Sequence, residues 1–305
     1  MHYRVFLEET LRRRSHTLGA AEERVAAEAG EMEGAGGEVH GVLSNADLPY
    51  PTINQMRFTD VQHIPASDGM SKGGKTGLMS NESNKLADFD NPLVKEKAKQ
   101  LTEGAGDTRE KLQRLFLYVR DGIKFGFPLK GDFVKASETI ESAIGQCNTK
   151  TTLFLALCKA ADIPSRIHFS LIQKDIQRGI FSGIAYALLP PFLSHSWLEV
   201  EIDGKWQKVD AYINDDRFYK NGLVLLSRKG WDTGYSISRP KNPSNSDHEQ
   251  FMQMGAVVGD HGTWDDPSDY YRTDKYMNRP SGLRPLIYRI IIGGVNKRVK
   301  RIRNG

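Results

Sequence analysis

Between residues 147 and 213 the hydrophobic period of the chain changes twice. Thr152 to Ala161 is an apolar stretch of helical length. Ser165 to Ile172 then alternates like a strand, and two further strands are predicted at Ser196 to Ile202 and Lys205 to Ile213. The helix must stop before Pro164. The last two strands are separated only by Asp203-Gly204, a strong two-residue hairpin signal. With that turn, Ile202 faces Lys205, Trp197 faces Asp210 and His195 faces Tyr212. His195, Trp197, Asp210 and Tyr212 then share one face, and His195 and Asp210 are diagonal neighbours. A slip of one residue would undo this.

Upstream, Asn91-Pro92-Leu93 opens a helix with proline in its first turn. Asp107 caps a second helix on which Leu112, Leu115, Val119 and Ile123 recur at helical spacing, ending near Gly126. Ala136 to Ile140 starts a short helix that leads to residue 147. Downstream, 173–193 reads as a connection and 214–220 as loose chain. Leu223 to Leu226 reads as one buried element, and the polar stretch 239–282 has no assignable period.

These patterns predict a flexible N-terminal arm at 1–48, with a first helix from Tyr3 to Arg14, and a loop-rich lead-in at 49–85. One α+β domain follows at 86–282, then a basic C-terminal tail or helix at 283–305. There is no internal repeat. No uninterrupted apolar run is long enough to span a bilayer, and the first residues lack the apolar core of a signal peptide. The expectation is a cytoplasmic protein.

Charge sharpens this picture at one end only. The 305 residues carry a formal +4, yet Lys275 to Gly305 contains nine Lys/Arg and no Asp/Glu, so the remainder is net −5. The apolar-then-basic run from Leu286 to Arg303 has two readings. It is an amphipathic helix on an anionic membrane surface (residues 284–305), or it packs through Ile290 to Ile292 with its charges in water. Few aromatics interleave the basic run, so nucleic acid is not expected as a partner.

Candidate chemistry centres on Cys147, in Gly145-Gln146-Cys147-Asn148, where a loop enters the helix. A helix N-terminus favours a thiolate. His195 and Asp210 follow in order, so the three form a candidate catalytic set. Cys147 is the nucleophile, His195 moves the proton, and Asp210 orients the imidazole. The Cys147 N–H is placed to bind an oxyanion. Gln146 and Trp197 are weaker candidates for oxyanion or substrate binding. Cys158, roughly 16 Å along the same helix, reads as core and is too far for a disulfide. Neither cysteine has metal-ligand neighbours, so no metal and no cofactor are expected. His168 reads as a packing or surface residue, Trp206 as sheet packing, Lys159 and Arg166 as structural or solvated, and Asp215 and Asp216 as helix-cap or calcium residues.

The ordered set resembles the transglutaminase-like superfamily over about residues 86–213. The carriers are Gly145-Gln146-Cys147, Leu153 to Arg166 with Ile163-Pro164-Ser165-Arg166, His195-Ser196-Trp197-Leu198-Glu199-Val200 and Trp206-Gln207-Lys208-Val209-Asp210, with Asp107 to Phe125 resembling the helix before the core. The resemblance implies a papain-like α+β fold, with the nucleophile at the start of a central helix packed on an antiparallel sheet. It also implies acyl transfer from a peptide or protein amide through a thioester. Animal transglutaminases usually carry Trp after the Cys, and here Asn148 stands there, which favours hydrolysis over cross-linking. The alternative reading is a catalytically silent binding or scaffolding protein of the same fold.

Overall fold

The computed structural model describes residues 59–60, 85–238, 253–279, 282 and 284–305. All lie in the second of two units of the chain, Pro49–Gly305. The expected arm at 1–48 and nearly all of the lead-in at 49–85 lie outside the described residues. The elements are β1 (Thr59–Asp60), α1 (Pro92–Thr102), α2 (Thr108–Leu117), β2 (Lys124–Phe125), α3 (Ala136–Ser142), β3 (Ile144–Gly145), α4 (Cys147–Ala160), β4 (Ser165–Gln173), α5 (Gly183–Ala187), β5 (Phe192–Ile202), β6 (Lys205–Val209), α6 (Asp216–Lys229), β7 (Thr233–Gly234), β8 (Ile237–Ser238), β9 (Val257–Trp264), α7 (Pro267–Tyr271) and α8 (Arg284–Asn304).

Local chemistry sets the helix limits. Asn91 accepts from the Leu93 N–H and Pro92 occupies the first turn of α1. Asp107 accepts from the Glu110 N–H at 2.7 Å to start α2. At α4, Gln146 is extended and its N–H donates to Thr149 Oγ1 at 2.9 Å. The helix ends where Asp162 turns left-handed (φ 56°), the Ile163 N–H returns to the Cys158 carbonyl, and Pro164 forbids continuation. Every residue of α4 from Cys147 to Cys158 is buried, the apolar half in the core and the polar first turns through buried hydrogen bonds. Leu153, Phe154, Leu155 and Leu157 are fully enclosed, each worth about 1.5–3 kcal/mol. One side of α4 meets β5 and β4, and the other meets α1, α2 and α3.

The sheet runs β1-β6-β5-β4-β9 and is antiparallel throughout. The β5–β6 hairpin has the register read from the sequence, Ile202 opposite Lys205 through Leu198 opposite Val209. Asp203 and Gly204 both take positive φ, 54° and 74°, as a type I′ turn demands. Beyond Val209 the expectation fails. Ala211 adopts φ 71°, and Tyr212 turns into the core, where its hydroxyl lies 2.7 Å from Thr151 Oγ1. Tyr212 therefore does not sit opposite His195.

Two other segments differ from the sequence reading. The loose chain at 214–220 and the element at 223–226 are one helix, α6, capped by Asp215 and closed by left-handed Gly230. Asp215 is thus a cap. Within 239–282, β9 adds the edge strand on β4, with two register shifts. The C-terminal helix α8 buries Ile292, Val295, Val299 and Ile302 against the domain. Arg303 pairs with Asp215 and Asn221 donates to the last carbonyls of α8. Among the described residues, no helix is long and apolar enough to cross a membrane. No cluster of metal-ligating side chains occurs among them.

Candidate active site

Cys147 opens α4 where Gly145 lets the chain approach closely. A Cβ at Gly145 would lie 2.7 Å from Lys150 Cγ. That lysine has no room to give, because it is fully buried with Nζ donating to the Arg120 and Ile213 carbonyls at 3.0 and 2.8 Å. Burial drives its ammonium well below the ordinary lysine range, against the pull of Asp215.

Cys147 is 6% exposed, and its Sγ donates to Gln146 Oε1 at 3.1 Å. Its pKa is pushed up, first by burial and then by the Asp132 carboxylate, although the N–H groups of Asn148, Cys147 and Ser196 favour the thiolate. The activated thiolate expected at a helix N-terminus is therefore not the resting state. Desolvation outweighs the dipole, and the group rests as a thiol.

Asp132 is the centre of this environment, and no local sequence pattern marks it. It is 5% exposed, and four donors converge on its oxygens. Asn148 Nδ2, Tyr276 OH and Asn278 Nδ2 donate to Oδ2 at 2.9, 2.8 and 2.8 Å, and Gln146 Nε2 donates to Oδ1. Burial raises its pKa and these four bonds oppose the rise. Gln146, read as an oxyanion candidate, thus spends its amide N–H on Asp132.

Asn148 joins the nucleophile helix to the histidine strand. Its Nδ2 also donates to the Ser194 carbonyl at 3.1 Å, and its Oδ1 accepts from Ser196 Oγ at 2.9 Å. The Ser196 N–H bears on the Cys147 sulfur. Ser194, Ser196, Leu198 and Val200 face α4, so alternation sends His195, Trp197 and Glu199 to the other face. There Trp197 stacks on His168 at 4.2 Å, and His168 bridges Glu199 and Asp260 at 2.7 Å each. Arg166 bonds Glu199 and lies over Trp206.

His195 is fully buried, its ring 6.3 Å from that of Trp197. Neither ring nitrogen has a hydrogen-bond partner. Burial, with Lys208 adding to it, lowers its pKa to about 3, so the imidazole is neutral. The structure therefore forms no hydrogen bond from His195 to Asp210 or to Cys147. The reason is local: the ladder ends at Leu198 and Val209, and Asp210 departs from it beside left-handed Ala211. The Asp210 charge bears on the Tyr212 hydroxyl instead. The site holds a neutral thiol and a neutral imidazole on adjoining elements, with a buried carboxylate behind the thiol.

Residues 95–211 match the family model of the transglutaminase-like superfamily. Residues 1–50, outside the described part, match that of oligopeptidase F. No curated protein matches the chain. Solved structures similar to the chain include two candidate proteases. A candidate cysteine protease from Cytophaga hutchinsonii is 16% identical with a TM-score of 0.38, over 61% of this chain and 45% of that one. A candidate protease from Parabacteroides distasonis is 20% identical with a TM-score of 0.29, over 41% of this chain and 26% of that one. The chain thus spans less than half the length of either.

Proposed function

We propose that this chain, which carries a transglutaminase-like core over residues 95–211, is a cysteine-dependent acyl-transfer enzyme acting on a peptide or protein amide. The observation that carries the reading is the join between α4 and β5. Cys147 starts the helix, and the N–H of Ser196, the residue after His195, bears on its sulfur. Cys147 Sγ attacks the amide carbonyl carbon as its proton passes to the neutral His195 imidazole, which must first leave the sheet face it shares with Trp197 to reach the thiol. The Cys147 N–H at the helix start supports the developing oxyanion. The tetrahedral adduct expels the amine, which takes the proton back from His195, and a thioester remains. Water then resolves it. Hydrolysis is favoured over cross-linking because Asn148, fully buried and bonded on both its amide atoms, presents no surface to an acceptor. Asp210 orients His195 once the imidazole turns to meet the thiol.

A second reading follows from one specific observation. The His195 nitrogens are unengaged and the thiol is protonated, which is also what a silent scaffold of this fold would show. Iodoacetamide labelling of Cys147 against pH, mapped by mass spectrometry, separates the two. The enzyme reading expects His195→Ala to slow labelling near neutral pH at least tenfold. A profile unchanged by that substitution supports the scaffold.

A further inference from the structure

Asp132 ties together three separated parts of the chain. Besides its own loop, it binds Gln146 and Asn148 on either side of Cys147, and Tyr276 and Asn278 from the segment after α7. A carboxylate only accepts, so the partner amides must turn their NH2 groups toward it. For Gln146 this leaves Oε1 on the other side, where it accepts the Cys147 S–H at 3.1 Å.

We propose that Asp132 is a positioning residue for the Cys147 nucleophile, fixing the Gln146 amide so that its oxygen, not its NH2, faces the sulfur and keeps the thiol protonated at rest. The role deepens the acyl-transfer reading and rests on it. Its carboxylate charge acts in the same direction as its hydrogen bond. Asp132 faces the sulfur from the loop before α3, Tyr212 from the chain after β6 and Tyr271 from α7; Tyr276, from the segment beyond, reaches Asp132, and His195 lies on β5. Of these, Asp132 is the one on which four hydrogen-bond donors converge, as a carboxylate requires, although burial raises its own pKa; the tyrosine hydroxyls are pushed up by burial and the imidazole is neutral. On the nucleophile's own helix, Lys150 points to the Arg120 and Ile213 carbonyls. The lock implies that the site charges only when substrate displaces Gln146 Oε1 from the sulfur.

Asp132→Asn inverts the relay. The new amide keeps its oxygen toward Asn148, Tyr276 and Asn278 and turns its NH2 to Gln146. Gln146 flips to accept, and its own NH2 then points at the sulfur, where it favours thiolate. Tyr276→Phe is the control, since it removes one donor yet keeps the carboxylate. The experiment measures iodoacetamide labelling of Cys147 from pH 5 to 11 in the full chain, with both variants, His195→Ala and a thermal melt of each. Asp132→Asn is expected to move the midpoint of the profile down by at least one pH unit, and Tyr276→Phe to leave it in place or raise it. Equal changes in labelling rate at every pH in both variants, with no movement of the midpoint, would assign Asp132 a merely structural role and overturn the proposal. The acyl-transfer reading fails separately, if His195→Ala changes nothing while the Asp132→Asn midpoint still falls.

Discussion

Asn148 Oδ1 accepts a hydrogen bond from Ser196 Oγ at 2.9 Å, and with it the helix that begins at Cys147 is tied to the strand that carries His195. The same side chain donates to the Ser194 carbonyl and to Asp132. All three contacts are buried, so water cannot replace them. Asn148→Ala would leave an acceptor on Asp132, the Ser194 carbonyl and the Ser196 hydroxyl short of a partner. A loss of about 2–4 kcal/mol is expected, to be read from urea unfolding, together with a fall in any Cys147 reactivity that depends on His195. A change within about 0.5 kcal/mol would show that the tie is dispensable.

The C-terminal helix is held in part by one ion pair whose carboxylate is buried. Arg303 Nε donates to both Asp215 oxygens at 2.9 and 3.0 Å, and Nη2 reaches the Phe125 carbonyl at 2.6 Å. Burial pushes the Asp215 carboxyl up, but Arg303 and the Phe125 N–H reverse this and hold it below its ordinary 3.8. Arg303→Met strands a buried carboxylate and is expected to cost about 3–5 kcal/mol at pH 7. Because the folded value is depressed, that stabilisation is present above pH 4 and fades as pH falls through the folded value. The deficit of the variant should therefore shrink below about pH 4. Adding Asp215→Asn to Arg303→Met should recover part of the loss at neutral pH, and no recovery would refute the anchoring account.

Much of this architecture is legible in the sequence where a local rule decides it. Asp203-Gly204 fixes the hairpin because few pairs tolerate two successive positive φ values. Pro164 stops the nucleophile helix, and Asp107 starts an earlier one. What is not legible depends on distant chain. Asp132 sits in a featureless Gly-Asp-Phe stretch, and its importance comes from Tyr276 and Asn278, 144 and 146 residues away. β9 was hidden because Gly259 and Gly262 interrupt its pattern and its pairing shifts twice. In α6, Gly222 sits where the helix meets Ile237, whose Cδ1 would be 2.6 Å from an added Cβ, a contact that no local pattern marks. Order and spacing nominate Cys147, His195 and Asp210 as a candidate set. They do not reveal its resting protonation, because desolvation of Cys147 and His195 depends on the whole surrounding shell.

The hairpin offers a clean local test. Gly204→Ala places a Cβ on a residue at φ 74° with open space around it. Backbone strain alone should cost about 1 kcal/mol, visible as a lower unfolding midpoint with the register of β5 and β6 unchanged. A larger loss would mean that the turn also serves packing.

Neutral, buried His195 makes stability depend on pH in a defined direction. Its folded value of about 3 lies below the ordinary 6.5, so the unfolded chain binds the proton first as pH falls. Stability present above pH 6.5 is lost progressively between there and about 3. The slope from this group approaches about 1.4 kcal/mol per pH unit. His195→Leu should flatten it in urea titrations between pH 4 and 7. An unaltered slope would place His195 in water.

The most direct measurement is a burst assay with p-nitrophenyl acetate, an activated acyl donor, followed by acid quench and mass mapping of the acetyl group. Acyl transfer through Cys147 predicts a burst of p-nitrophenol of about one per chain with the acetyl on the Cys147 peptide. It should be absent in Cys147→Ala and slowed at least tenfold in His195→Ala. No burst, or acetyl on Cys158 or lysines at the same rate in Cys147→Ala, would contradict the assignment of Cys147 as the nucleophile.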